Sequence, residues 1–385
     1  MAENTAQNPR VSVVMITYNH ERFIAQAIES AVNQQTDFPY EIVIGEDCST
    51  DGTARIVRDY QARYPTLIRA LLRTRNLGAH QNFMDTLRNA RGEYIALLEG
   101  DDYWTDPRKL QKQVEFLDRH PECSTCFHPA LVKCEDVQYP QPTIGSDAKD
   151  FSTLEDILEV NFVPTLSIMF RARLVATFPD WYHEMPMGDW PLLILLAQHG
   201  KLGCIREVMG TYRAHSGGIW SSRRLTQRML DDVRLYAAVN LHLAGAYEPI
   251  IRQGVWRRCC QLADTSVREW SAHRSLSAIF AALRETIKAL DRAPARTFLP
   301  PRWKACLVGR TYACLTFVAY ELRDLPTVRH CLPRAIAYDL SLLSNRGVWS
   351  IGMEAFLGSR VSNRLRHITR RVRVACHARG IVSPR

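Results

Sequence analysis

The sequence predicts an α/β fold: a doubly wound, mixed but mostly parallel sheet, followed by a helical region. Three observations predict it. Short β-branched runs alternate with amphipathic helical stretches from residue 11 to about residue 119. The connections between them are short, which favours parallel strands with crossover helices. Beyond about residue 220 the strand-like runs stop, and helical periodicity rich in Ala, Leu and Arg takes over.

The elements follow in order. VSVVMI at 11–16 is a continuous apolar run, the pattern of a strand buried on both faces. Asn19 can cap the next helix, in which Phe23, Ile24, Ala27, Ile28, Ala31 and Val32 recur at helical spacing. EIVIG at 41–45 is a second strand ending at Glu46-Asp47, and Ser49–Thr53 opens a helix to about Arg63. Residues 67–72 form a third strand, about 81–91 a helix, and 94–98 a fourth strand. A helix follows Pro107, and CSTCF at 123–127 reads as a strand. The Pro-, Asp- and Gln-rich stretch 135–150 reads as a loop, 163–170 as a strand, and 202–213 as a hairpin or extended segment. Met187–Pro191 opens an apolar helix with Asp189 at its N-cap.

In such sheets ligands bind at the carboxyl ends of the strands. Three of those ends are Thr17-Tyr18-Asn19, Glu46-Asp47 and Glu99-Gly100-Asp101-Asp102, so residues far apart in sequence are expected on one rim. Three crowded carboxylates repel one another, and their burial is costly without a cation among them. A rim with an aromatic ring, a carboxylate and an acidic turn suits a nucleotide diphosphate held through a divalent metal. Tyr18 can stack on the base, Asp47 can accept from a ring N–H, and Asp101 and Asp102 offer hard oxygen ligands to Mn²⁺ or Mg²⁺. No GxGxxG follows the first strand and no GxxxxGK[ST] occurs, which argues against a dinucleotide fold and a P-loop.

The bulk numbers bound the class. The chain has 385 residues, 46% of them apolar and 23% charged, a core-forming composition. A net charge of +9 suits phosphate-bearing partners or an anionic membrane face. A nucleic-acid partner would explain that charge but not the acidic rim. Eleven scattered cysteines behind a polar start, MAENTAQNPR, suggest reduced thiols and a cytoplasmic location. No apolar run reaches the roughly 18–20 residues that span a bilayer.

Three stretches, VSVVMITYNHERFIAQAIESAVNQ, EIVIGEDCSTDGT and ARGEYIALLEGDDYW, together resemble the family 2 glycosyltransferases of the GT-A (nucleotide-diphospho-sugar transferase) fold. The resemblance covers about residues 10–130, and 160–220 more loosely. It implies that Thr17 and Tyr18 belong to the base-binding segment, with Asn19 beside them, and that Asp47 reads the base. It implies Asp101 near the ribose or the metal and Asp102 as the direct metal ligand. Asp189 in GDWP matches the general base, and His215 in YRAHSGG matches a loop histidine on the metal or the diphosphate. One place departs: where the family often carries Arg-Asn, this chain has Phe83-Met84, leaving Asn76, Gln81 and Asn82 as the nearest polar groups.

The implied activity is metal-dependent, inverting transfer of a sugar from a nucleotide-diphosphate donor, UDP-linked, to a hydroxyl of a glycan, lipid-linked or other cell-surface acceptor. Residues 1–220 would form the catalytic domain and 221–385 a basic helical region. Two alternatives stand beside it: a catalytically inactive sugar-nucleotide or glycan-binding scaffold, and a sugar-1-phosphate nucleotidyltransferase. The second usually needs a glycine-rich basic loop where YNHERF stands here. Each site residue also has an ordinary alternative. Tyr18 can pack on the next helix, Asp47 and Asp51 can be turn and cap residues, Asp189 can be a cap alone, and Glu99 can face water. Trp104 and Trp220 can form acceptor or lid surfaces, or only pack. Finally, residues 358–385 carry eight arginines and no acid, with Val361, Leu365, Ile368 and Val372 on one helical stripe. That pattern suits a helix lying on an anionic membrane, here the cytoplasmic face of an inner membrane, or one docking on its own protein.

Overall fold

The computed structural model describes residues 8–135, 142–175, 177–218, 225–273, 275–292 and 297–357. Trp220 and the basic stretch 358–385 lie outside the described residues. The chain divides into two compact units, residues 1–223 with 238–251, and residues 224–237 with 252–385.

The first unit opens with β1 (Val11–Thr17), α1 (Ile24–Val32), β2 (Tyr40–Glu46), α2 (Thr53–Arg63), β3 (Ile68–Leu72), α3 (Ala79–Arg88) and β4 (Tyr94–Glu99). It continues with β5 (Tyr103–Trp104), α4 (Lys109–Arg119), β6 (Cys123–Phe127), β7 (Ala130–Cys134), β8 (Thr143–Ile144), β9 (Phe151–Ser152) and α5 (Leu154–Glu159). Last come β10 (Met169–Arg171), α6 (Asp180–His183), α7 (Asp189–Ala197), β11 (Lys201–Cys204) and β12 (Gly210–Ala214). Eight strands form one sheet in the order β3-β2-β1-β4-β10-β6-β11-β9, and a smaller sheet runs β5-β12-β7-β8. In the large sheet β10 and β9 run antiparallel to their neighbours and the other pairs are parallel.

Helices cover both faces. Val11, Val13 and Met15 of β1 pack with Ile24, Ala27 and Ile28 of α1, Val57 of α2, and Leu110, Val114 and Leu117 of α4. On the other face α3 lies close against β2. It can do so because Gly45 has no side chain: a Cβ there would sit 2.0 Å from Thr86 Oγ1.

Several local expectations are corrected. Residues 163–170 are not one strand: Thr165–Ser167 form a 3-10 turn, and only Met169–Arg171 pair. Ser167 Oγ bonds the Pro164 carbonyl (2.6 Å), a local bond that competes with the ladder. The segment 202–213 is no hairpin, because β11 and β12 belong to different sheets. Asn19 does not cap α1. Phe23 holds that position, and Asn19 is spent on the neighbouring loop in the left-handed region (φ 55°). Gly188, not Asp189, is the N-cap of α7, and Asp189 is its first residue.

The second unit is helical. Helices α8 (Leu225–His242) and α9 (Glu248–His273) reach into it, and α10 (Leu276–Arg292), α11 (Trp303–Glu321), α12 (Leu325–Tyr338) and α13 (Arg346–Leu357) complete it. Its core joins Val267, Ile279, Leu315, Ala319, Val328, Cys331, Leu332, Val348, Ile351 and Ala355. Asp324 caps α12 by accepting from the Thr327 N–H (3.2 Å). No helix among the described residues is long and apolar enough to cross a membrane.

Candidate active site

Strand register brings the three motifs to one rim. Thr17 pairs with Glu46 across β1 and β2, and Ile16 with Glu99 across β1 and β4. Gly100 then lets the acidic turn press on β1. A Cβ there would lie 2.6 Å from Thr17 Oγ1 and 3.0 Å from His20 Nδ1. The loops after β1 and β2 are stitched together. Thr50 N–H donates to Asn19 Oδ1 (2.8 Å), Asn19 N–H to Ser49 Oγ (2.9 Å), and Ser49 N–H to Glu46 Oε1 (2.8 Å). Tyr18 stands on this loop, 41% exposed.

Asp47 is buried, and its two carboxylate oxygens accept from the Leu77 and Gly78 N–H groups (2.7 and 2.9 Å). Asn76 donates to the Asp47 carbonyl (3.2 Å), so this motif also ties the loop after β3 to the rim. Asn82 lies one residue below that rim, beside Gly45. It is buried, donates to the Gly45 carbonyl (2.8 Å) and fastens α3 to β2.

The acidic turn is the electrostatic centre. Glu99, Asp101 and Asp102 each offer a carboxylate oxygen, all within 4.8 Å of one another. Asp102 is fully buried: Oδ1 accepts from the Arg213 N–H (2.8 Å), and Oδ2 has no partner among the described residues. Burial, then the charges of Asp101 and Glu99, push the Asp102 carboxyl well above its ordinary range. Burial, then Asp101 and Asp189, pushes Glu99 up to about 8. Burial also opposes ionisation of Asp101, but the His215 hydrogen bond and the nearby His20 outweigh it, and that carboxyl is lowered. His215 Nε2 lies 3.1 Å and His20 Nε2 3.7 Å from Asp101 Oδ2.

Asp189 joins this cluster. Its Oδ2 accepts from Asn161 Nδ2 (3.3 Å) and Thr165 Oγ1 (3.2 Å), which aim it from the first turn of α7. The Tyr212 phenol is pushed up by burial and then by Glu99, Asp102, Asp101 and Asp189, so all four carboxylates act on one ring. The residues fit a divalent cation: hard oxygen donors converge, and one buried oxygen is orphaned.

Residues 12–177 match the profile described as Glycosyl transferase family 2. They belong to that family. An uncharacterised protein of Mycobacterium tuberculosis is 42% identical over 228 residues, 58% of this chain and 64% of its own length. The chain therefore spans slightly less than two thirds of that relative. TuaG of Bacillus subtilis, named as a teichuronic acid biosynthesis glycosyltransferase, is 26% identical over 226 residues, 58% of this chain and 87% of its own. Among solved structures, S. aureus TarS 1–349 in complex with UDP-GlcNAc superposes with a TM-score of 0.55 at 20% identity, covering 91% of this chain and 92% of that one. That likeness makes the fold GT-A.

Three groups around the acidic turn and the strand ends escaped the sequence reading. Arg213, buried on β12, donates its backbone N–H to Asp102 and Nη1 to the Asp101 carbonyl (2.6 Å). It also meets Gln26 and Glu135, and lies 4.4 Å over the Tyr103 ring. His20 sits under the acidic turn, where burial lowers its pKa against the pull of Asp101. Arg73 follows β3, pairs with Asp85 (2.6 Å) and has a buried Nη2 without a partner among the described residues. The only sequence signal for Arg213 was its place two residues before His215. Trp104 packs instead of forming a surface: it is buried and its Nε1 donates to the Leu166 carbonyl (2.8 Å).

Proposed function

We propose that this chain is a metal-dependent, inverting glycosyltransferase that moves a sugar from a nucleotide-diphosphate donor, UDP-linked, to a hydroxyl of a glycan or lipid-linked cell-surface acceptor. The observation that carries the reading is the buried, orphaned Asp102 Oδ2 within the Glu99-Asp101-Asp102 cluster. A carboxylate so placed is unfavourable unless something positive completes it. Asp102 would hold Mn²⁺ or Mg²⁺, with Asp101 and His215 beside it. When bound, such a cation neutralises the charge of a diphosphate leaving group.

The chain's own residues supply the rest. Tyr18, half-exposed on the stitched loops, offers a face for the base, with Thr17 and Asn19 shaping the strand end. Asp47 keeps the lone pairs its two backbone amides leave free, and Asn76 braces it, so the pair can still meet a ring N–H. Asp189 takes the proton from the acceptor hydroxyl. Thr165 and Asn161 bond only its Oδ2, and Oδ1 is the oxygen suited to that transfer. Single displacement needs one base and no protein nucleophile, and general-base help is typically worth about 10²–10⁴-fold.

A UDP donor and an envelope acceptor are supported by the UDP-GlcNAc complex of the fold neighbour and the teichuronic acid role in the name of a relative. We assign catalysis to residues 1–220, at the cytoplasmic face of a membrane. The test is a donor panel read by nucleotide-diphosphate release with and without Mn²⁺ or Mg²⁺. Turnover of a UDP-sugar that stops with EDTA is the expected result. Donor binding without turnover would leave the scaffold reading in its place.

A further inference from the structure

We propose that the outer face of α13, with the 3-10 turn before it (Leu340–Ser344), seats the protein on an anionic lipid surface. The inner face of α13 is already satisfied, because Val348, Ile351 and Ala355 lie in the helical core with Leu315 and Val328. A helix with one buried stripe normally turns polar groups outward. This one does not. Trp349 is 57%, Phe356 52% and Leu357 53% exposed. With Met353 between them, Trp349 and Phe356 fall at i, i+4 and i+7, on one stripe.

The preceding turn extends the same surface. Leu340 is 70% exposed and Leu343 41%. Trp349 Nε1 donates to the Leu343 carbonyl (2.5 Å), which fixes the indole against that turn. From 340 to 357 the sole acid is Glu354, and it is engaged elsewhere, accepting from the Tyr320 hydroxyl (2.5 Å) and pairing with Arg323 (2.8 Å). Scattered exposed apolar groups are ordinary, but a contiguous patch of Trp, Phe and Leu marks an interaction surface.

Charge chooses the occupant. After Leu357 the chain runs on with eight arginines and no acid through residue 385. The run of positive charge that follows the patch in sequence disfavours a second copy of the chain as occupant, because like-charge juxtaposition is costly. An anionic bilayer suits the patch and the sequence that follows it: Trp and Phe enter the headgroup–acyl boundary, and an anionic surface attracts a basic run. This seat is independent of the sugar-transfer reading, and lipid binding is measured without a donor.

The test is co-sedimentation of the full chain with vesicles of equal parts phosphatidylglycerol and phosphatidylcholine, and with phosphatidylcholine alone. The chain is expected to bind the anionic vesicles at least tenfold more tightly. Trp349→Ser with Phe356→Ser and Leu357→Ser should lower that partition at least tenfold, leaving the thermal melt and donor hydrolysis unchanged. Trp349→Ser alone should lower it several-fold and guards against a folding defect in the triple variant. Three results would overturn the proposal: no binding of anionic vesicles, equal binding by the variants, or a patch variant that instead converts a dimer to a monomer.

Discussion

The two ends of the large sheet treat a buried carboxylate in opposite ways. At the amino end Glu41 is nearly sealed, yet each of its oxygens is answered. Oε1 accepts from Ser12 Oγ (2.7 Å) and the Arg91 N–H (2.9 Å), and Oε2 pairs with the Arg91 guanidinium (2.7 Å). Burial works to raise this carboxyl, but the Arg91 and Ser12 hydrogen bonds outweigh it, so its pKa lies below the ordinary 4.5. At the carboxyl end of the sheet Asp102 is sealed too, with one oxygen unanswered among the described residues and two acids beside it, and it is driven upward. The first end is complete within the protein. The second is complete only with a ligand, and that difference separates a structural carboxylate from a functional one.

The comparison breaks most sharply at Asp102. Asp102→Asn keeps an acceptor for the Arg213 N–H but removes the charge. Metal-dependent turnover should fall about 10³-fold, since the cation's electrostatic help amounts to several kcal/mol. The melting temperature without metal should hold or rise. A clear drop in that melt would put Asp102 in the same class as Glu41 and end the contrast.

Next comes Asp189→Asn, expected to lower turnover about 10²–10⁴-fold with donor affinity unchanged. Equal loss of donor binding in titration calorimetry would remove it from the base role. Arg213→Lys should act through the acidic turn, because lysine cannot reach the Asp101 carbonyl, Gln26 and Glu135 together. The metal concentration for half-maximal activity should rise about 10–100-fold. A change confined to the melt, with metal dependence intact, would make Arg213 purely structural.

The smallest effect on activity, and the clearest on stability, belongs to the other end. Glu41→Gln should cost about 2 kcal/mol of stability and leave turnover per folded molecule alone. Its pH dependence has a definite sign. Because the folded pKa of Glu41 is lowered, its stabilisation is present above about 4.5 and fades as pH falls through the folded value. Melts of the parent and variant should therefore differ at pH 7, and the difference should shrink as the pH falls below 4.5.

Much of this was legible in the chain itself. The period-3.6 stripe of Ile24, Ala27, Ile28 and Ala31 and the unbroken VSVVMI run report burial directly, because side-chain spacing reflects which faces meet the core. The parallel order of the strands, and so the common rim of Thr17, Glu46 and Glu99, followed from their short crossovers. Local hydrogen bonding was less legible. Asn19 and Asp189 had the right chemistry for caps, yet loop contacts with Thr50 and Thr165 claimed their side chains. Asn82 was polar and near the motif, but the absent side chain of Gly45 drew it into the sheet.

What the amino-acid order decides alone is the alternation of elements, the acidic turn at a strand end and the basic run after residue 357. Only the folded chain decides that Arg213 reaches Asp102 across 111 positions, that His215 and His20 meet Asp101, and that Asp102 keeps one oxygen unanswered. The reason is physical. Periodicity records how much of each residue is buried, whereas a hydrogen bond depends on the register between strands that no local pattern encodes.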